Sequence, residues 1–315
     1  MLEQMANPRC SIIIPTRDRP ELLVRATLSA LLNTPKDSEI IVVDDASAVA
    51  ASDALSEIHD ARLRVITSDA SGGCGGSPAR NVGAQHARGA VLMFLDDDDE
   101  LLPGYCDLLL EFIVPTGADF GFGLRQFQIS MADGKTISRL ENRKLPDGFV
   151  CHNVHFKRKA FPFSAGFWMT RDAYDTIGPM SERLTTNSDT EYACRLYSAK
   201  LRGWYCARPA VKITLGMLVA TGQRPQTTKL AKSEHRAAAF QEIAEKHNVF
   251  LRSDSGAAEF VYSRWIKHAF RSGKHNQVYA SILQLPHVAT RAKLLAFCSL
   301  YAASTAFRRF KTPSA

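Results

Sequence analysis

Val91–Asp99 reads VLMFLDDDD, five apolar residues running straight into four aspartates. An unbroken apolar run of this kind is the pattern of a strand buried on both faces. Similar runs precede it. Ser11–Pro15 is SIIIP, and Glu39–Val43 is EIIVV followed by Asp44–Asp45. Leu63–Thr67 completes a set of four strand candidates in the first hundred residues. Helical spacing fills the gaps. Leu22, Leu23, Ala26, Ala30 and Leu31 repeat on one face, with Asp18 placed to cap, Pro20 in the first turn and Thr34–Pro35 as the stop. A weaker helix is expected near Ala50–His59, and Pro78 opens another toward Arg88.

Alternation of buried strands with helices predicts an α/β fold, a mainly parallel sheet flanked by helices. Ligands of such sheets bind beyond the carboxyl ends of the strands. The polar residues at those ends are Thr16, Asp45, Ser71–Ser77 and Asp96–Asp99, so four segments converge on one crevice. From about Asp119 the pattern becomes mixed strand and loop, a second helix–strand block spans Phe161–Thr214, and helical sequence then dominates. The expected division is residues 1–214 as the catalytic domain, with a donor half at about 9–118 and an acceptor half at 119–214, and residues 215–315 as a basic, mainly helical extension.

With 315 residues, 45% of them hydrophobic, the chain is able to bury one substantial core and a smaller appendage. Its seven cysteines are odd in number and form no CxxC pair, which fits reduced thiols better than a disulfide scaffold or a zinc site. MLEQMANPRC has no apolar signal core, and no run of about 18 apolar residues occurs. A cytoplasmic location is expected. The net charge of +7 is divided unevenly: residues 1–199 hold 20 Lys+Arg against 27 Asp+Glu, and residues 200–315 hold 19 against 5. A basic tail on an acidic body points to an anionic partner. No nucleic-acid motif is present, which favours a membrane surface over nucleic acid.

The aspartates carry the chemistry. A diphosphate leaving group is itself anionic, so an acidic cluster facing it needs a divalent cation between the two. Mg²⁺ or Mn²⁺ suits carboxylate and phosphate oxygens. Carboxylates spaced as Asp96 and Asp98 divide the work, one on ribose or sugar hydroxyls and one on the metal. The plainer alternative is a solvated acidic loop or adventitious Ca²⁺ binding. Asp45 is placed to accept from a pyrimidine ring N–H, or else to form an Asx turn or helix cap. The glycine-rich Ser71–Ser77 does not meet the GxGxxG spacing and is read as a loop delivering Arg80 to the nucleotide; the alternative for Arg80 is a surface helix residue. Asp189, in NSDTEY, is the best candidate for the base that takes the acceptor hydroxyl's proton, although from the spacing alone a helix cap is the simpler reading.

Taken together, SIIIPTRDRPELL, EIIVVDDAS, SPARNVGAQHARG, VLMFLDDDDELLPGY, AGFWMTRDAYDTIGPMSERL and SDTEYACRL stand in an order and spacing that resembles the family-2 glycosyltransferases with the GT-A nucleotide-diphospho-sugar transferase fold, over roughly Cys10–Ala210. The resemblance implies inverting transfer by direct displacement from a nucleotide-sugar donor, a UDP-sugar, onto a saccharide or lipid-linked saccharide acceptor. It implies that Pro15, Thr16 and Asp45 hold the nucleobase side with Arg80 assisting. Asp96 and Asp97 would meet ribose and donor sugar, Asp98 with Asp96 would hold the metal, and Asp189 would be the catalytic base. Trp168 would lie in the segment lining the acceptor, where its ring either stacks on a sugar or packs in the core. Three positions depart from the family. Arg17–Asp18 replaces Tyr-Asn, Ser188 replaces the Glu before the base, and LGMLVATGQRP (Leu215–Pro225) offers no His to complete a metal shell. His152 and His155 are expected to be an exposed loop pair.

In Arg291–Phe310, Leu294, Phe297, Cys298 and Tyr301 share a helix face flanked by Arg291, Lys293, Arg308 and Arg309. Such a helix either lies flat on an anionic membrane or packs against the protein. Other functions fit less well. A sugar-phosphate nucleotidyltransferase places its glycine loop after the first strand, and a haloacid-dehalogenase phosphatase places its aspartates there. A non-catalytic nucleotide-sugar sensor or membrane scaffold would not need a full set of base, metal and donor residues.

Overall fold

The computed structural model describes residues 7–68, 75–131, 135–215 and 232–311, with side chains through residue 303. Two compact units emerge, and they interleave along the chain. The first comprises residues 1–152, 161–183 and 199–225; the second comprises 153–160, 184–198 and 226–315. The last described strand ends at Leu215, and residues 153–160 and 184–198 group with the C-terminal helices.

The first unit is built on one sheet. Strands β1 (Cys10–Thr16), β2 (Ser38–Asp44), β3 (Leu63–Thr67) and β4 (Val91–Phe94) are parallel, in the order β3-β2-β1-β4. All seven residues of β1 and of β2 are buried, as their unbroken apolar runs require. Helix α1 (Pro20–Asn33) presents Leu22, Leu23, Ala26 and Ala30 to the core and ends at Thr34. It begins without a side-chain cap. Asp18, expected to supply one, stands in the left-handed region at φ 55° and accepts instead from Ala48 N at 2.8 Å, while its own N–H donates to Ser47 Oγ at 3.0 Å. The β1 and β2 exit loops are thereby tied together. After the short α2 (Ala51–Ala54), helix α3 runs Gly76–His86, two residues earlier than Pro78 predicts. It lies so close to β1 that a Cβ at Gly83 would fall 2.4 Å from Ile13 Cγ2.

Beyond the aspartate run, β5 (Asp99–Leu101), β6 (Phe120–Ser130), β9 (Trp168–Thr170) and β10 (Gly203–Leu215) extend the sheet in the order β4-β9-β6-β10-β5, with β7 (Thr136–Leu140) on β6 and β8 (Gly148–Phe149) on β10. The short helices α4 (Tyr105–Leu108), α5 (Phe156–Lys159) and α6 (Arg171–Ile177) lie between these strands in the chain. The pairings of the described strands here are antiparallel except that of β6 with β10. The mainly parallel sheet expected from the first hundred residues is therefore mixed overall. Short connections through 120–170 allow strands to return without crossover helices.

The second unit is helical. Its core gathers around Phe156, whose ring meets Tyr197, Phe250 and Phe260 at centroid distances of 5.3–6.0 Å. Lys159, 2% exposed, is paired there with Asp254 at 3.2 Å. The last helix, Val288–Lys311, packs rather than lies free: Leu294 and Cys298 are buried. Phe297 meets Tyr301 at 5.0 Å. The side chains of Arg308 and Arg309 lie outside the described residues. Among the described residues, no helix is long and apolar enough to cross a membrane, and Cys10, Cys106, Cys151, Cys194, Cys206 and Cys298 are free thiols.

Candidate active site

Strand order reverses at β1, where β2 lies on one side and β4 on the other. β2 stays paired with β1 as far as Thr16, whereas β4 pairs with it only to Ile13. The two strands part there, and the gap is the switch point at which open α/β sheets bind ligands. Thr16, Asp45 and the aspartates after β4 all arrive at this place because each ends a buried strand.

Their hydrogen bonds interlock. Thr16 Oγ1 donates to Asp97 Oδ2 at 2.9 Å, and Arg19 Nη1 donates to Asp97 Oδ1 at 2.8 Å and to Asp98 Oδ2 at 3.4 Å. Arg80, from the first turns of α3, pairs with Asp96 and holds its guanidinium 5.2 Å from the Phe163 ring. Asn81 beside it is tied to Met180, donating to its carbonyl at 2.9 Å and accepting from its N–H at 2.8 Å. Asp45 is 4% exposed and accepts from Ser68 Oγ at 3.0 Å and Gly75 N at 2.9 Å. Gly75 stands at φ 95°, a conformation open to glycine that turns its N–H onto the carboxylate. Pro15 is buried within β1. The turn role considered for Asp45 falls to its neighbour: Asp44 accepts from Ser47 N at 2.9 Å and Ala51 N at 2.8 Å.

Carboxylates outnumber cations in this crevice. Burial pushes the Asp97 carboxyl up to about 6, against the pull of Arg19 and with a further push from Asp98. Asp99 is raised well above the carboxylate range by burial first and by Asp96 and Asp98 next. Its Oδ2 is buried without a hydrogen-bond partner, an arrangement that costs free energy unless something cationic or protonated meets it. Ligand oxygens of Asp96, Asp98 and Asp99 lie within 4.8 Å of one another. An all-oxygen set with one orphaned carboxylate oxygen fits a hard divalent cation such as Mg²⁺ or Mn²⁺.

Reading the sequence assigned no role to Asp99 or Arg19. The aspartate run itself marked Asp99, but its place in β5 and its buried, unpartnered Oδ2 are what distinguish it from Asp97 and Asp98, which are buried too. Trp168 is a correction. Its side chain is 0% exposed and would be met at 2.7 Å by any Cβ on Gly121, so the indole packs in the core and has no face open to an acceptor.

Asp189 belongs to the second unit, at the start of α7 (Ser188–Ser198). It is half-buried, and its Oδ1 accepts from Thr190 N at 2.7 Å. The chain enters this helix through Asn187 at φ 59°. His155 is exposed and caps a short helix, accepting from Lys157 N at 3.2 Å. The missing third metal ligand sought in Leu215–Pro225 falls almost wholly outside the described residues, as does Asp69–Cys74 of the glycine-rich loop.

The chain resembles known proteins. It is 31% identical over 157 residues to the succinoglycan biosynthesis protein ExoO of Rhizobium meliloti, covering 48% of this chain and 44% of that protein. It is 26% identical over 195 residues to WfgD of Escherichia coli, named UDP-Glc:alpha-D-GlcNAc-diphosphoundecaprenol beta-1,3-glucosyltransferase, covering 59% and 76%. Over 107 residues it is 36% identical to the GalNAc(5)-diNAcBac-PP-undecaprenol beta-1,3-glucosyltransferase of Campylobacter jejuni, covering 33% and 34%. The match thus spans less than half of the first of these relatives. The crystal structure of S. aureus TarS residues 1–349 in complex with UDP-GlcNAc has the same fold, with a TM-score of 0.64 at 16% identity over 97% of this chain and 93% of that one. A family model described as glycosyl transferase family 2 matches residues 11–178, more than half the chain and the whole of the strand-end crevice, and the chain belongs to that family.

Proposed function

We propose that this chain transfers a sugar from a nucleotide-diphosphate donor, a UDP-sugar, to a hydroxyl of a saccharide or lipid-linked saccharide acceptor, with inversion and with Mg²⁺ or Mn²⁺. The observation that carries the reading is the gathering of Thr16, Asp45, Arg80 and Asp96–Asp99 at the switch point between β1 and β4. Pro15, Thr16 and Asp45 hold the nucleobase side, and Arg80 assists there. Asp96 and Asp97 meet the ribose and donor sugar. Asp98 and Asp96 hold the cation, with Asp99 as the nearest further carboxylate. When bound, that cation supplies Lewis-acid stabilisation of charge on the departing diphosphate.

Asp189 takes the proton of the acceptor hydroxyl while its oxygen forms the new bond to the anomeric carbon. The bond to the diphosphate oxygen breaks on the opposite face, so one displacement inverts the centre and no covalent enzyme intermediate is needed. The relatives' names, succinoglycan biosynthesis and diphosphoundecaprenol acceptors, support a role in cell-surface polysaccharide or glycolipid assembly, and the location proposed with it is the cytoplasm, peripheral at the inner face of the membrane. Charge supports the membrane contact, through the excess of Lys and Arg after residue 200. Deleting the last helix would remove the buried Leu294 and Cys298, so the contact is better tested by substitution. Co-sedimentation with anionic vesicles is expected to weaken in an Arg308→Ala/Arg309→Ala double variant; equal binding by both proteins removes the membrane from the proposal.

Nucleotide release decides the main reading. A panel of UDP-, GDP- and dTDP-sugars is offered with and without Mn²⁺, and release from a UDP-sugar only with metal is the expected result. Binding without turnover on every donor would indicate a sensor or scaffold.

A further inference from the structure

Glu191 follows Asp189 by two positions on α7 and is 1% exposed. Its Oε2 accepts from Arg195 Nη2 at 2.9 Å and Nε at 3.1 Å. Its Oε1 faces Lys246 Nζ at 2.8 Å and His247 Nε2 at 3.0 Å. Lys246 ends one helix of the same unit (Ser233–Lys246), and His247 lies between it and the next (Asn248–Ser253). A single buried carboxylate therefore receives two fixed cations and an imidazole.

Residues two apart on an α-helix are about 200° apart around its axis, whereas residues four apart share a face. Glu191 and Arg195 thus occupy the side of α7 opposite Asp189. Upstream the helix is entered through the left-handed Asn187, whose carbonyl accepts from Thr190 N and Glu191 N at 3.1 and 3.2 Å. That turn fixes where α7 starts; the clamp at Glu191 fixes how it is rotated. We propose that Glu191 is a positioning residue: held by Arg195, Lys246 and His247, it sets the direction in which Asp189 faces. The inference rests on the reading of Asp189 as the base. It also gives the helices after residue 232 a part in the reaction separate from any membrane contact.

Glu191→Gln keeps size and hydrogen-bonding shape while removing the charge that Lys246 and Arg195 answer. The test compares full-length Glu191→Gln, Asp189→Asn and the double variant by kcat, donor KM and donor affinity, well below the melting temperature. A small misplacement of a reacting group costs about 100-fold in rate. Glu191→Gln is accordingly expected to lower kcat by about 10- to 100-fold. Donor KM and affinity should stay at wild-type values, and the substitution should add nothing once Asp189 is already Asn. A merely structural role would lower donor affinity and kcat together and remain additive with Asp189→Asn, which overturns the proposal. Wild-type kcat in Asp189→Asn would overturn the base assignment and this inference with it; an inactive Asp189→Asn beside a fully active Glu191→Gln would overturn this inference alone. Should Glu191→Gln fail to fold, His247→Gln is carried through the same comparison, with the same split between kcat and donor affinity required.

Discussion

At the exit of β4 three of four consecutive carboxylates, Asp96, Asp97 and Asp98, share the guanidiniums of Arg19 and Arg80; on α7 one carboxylate, Glu191, meets Arg195, Lys246 and His247. Burial alone would raise Asp97, Asp99 and Glu191. At the strand exit it prevails, with Asp97 pushed up to about 6 and Asp99 raised well above the carboxylate range, because like charges add to it. At Glu191 burial is overcome by hydrogen bonds from His247 and Lys246 and by the charge of Arg195, and the carboxyl falls to about 2. An acid left under-neutralised in a crevice is held in readiness for a cation from outside the chain. One supplied with more partners than it needs is a fixture of the fold. The difference separates a site from its support.

That contrast is open to attack at several points, the largest expected effect first. Asp189→Asn should lose about 100- to 10,000-fold in transfer, the range for removing a general base, while donor binding by thermal shift is retained. Asp98→Ala should abolish the Mn²⁺-dependent part of donor stabilisation, as chelation does in the wild type; an unchanged metal response would contradict its assignment. Glu191→Ala strands Arg195 and Lys246 and should cost about 3–5 kcal/mol in denaturant unfolding, the range for breaking a buried ion pair from one side.

The pH dependence should carry opposite signs in the two regions. Glu191 has a folded pKa below its unfolded value, so its contribution is complete above about 4.5 and is lost as pH falls toward about 2. Asp97 has a folded pKa above its unfolded value, so in chelator it favours the fold below about 4 and that contribution disappears as pH rises through about 6. Thermal unfolding between pH 3 and 7 should therefore show a shallower low-pH decline in Glu191→Gln, Asp60, Glu39 and Glu141 keeping the remainder, and flatten near pH 5 in Asp97→Asn. The smallest effect belongs to Lys293→Ala, whose pair with Glu259 is 65% exposed on the lysine side; a change outside about 0–1 kcal/mol would contradict its classification as a solvated pair.

Much of the first unit was legible in the residues. β3 spans Leu63–Thr67 as read, β1 exceeds the expected Ser11–Pro15 by one residue at each end, and β4 covers all but the last residue of its apolar run. Roles within the site were less so. Asp44 and Asp45 are adjacent and identical in type, and only the backbone at their strand end turns one into Ser47 and Ala51 and the other toward Ser68 and Gly75. Trp168 read as a plausible stacking ring because nothing local signals that β4 and β6 flank it.

By itself the sequence settled the strand–helix alternation and the concentration of carboxylates at strand ends, since a strand buried on both faces is written as a contiguous apolar run and its exit as the polar residue that follows. Tertiary structure alone decided which carboxylates are answered and which are not. Neutralisation depends on partners far along the chain, Lys246 for Glu191 and Arg19 for Asp97, and on a burial that no local pattern records.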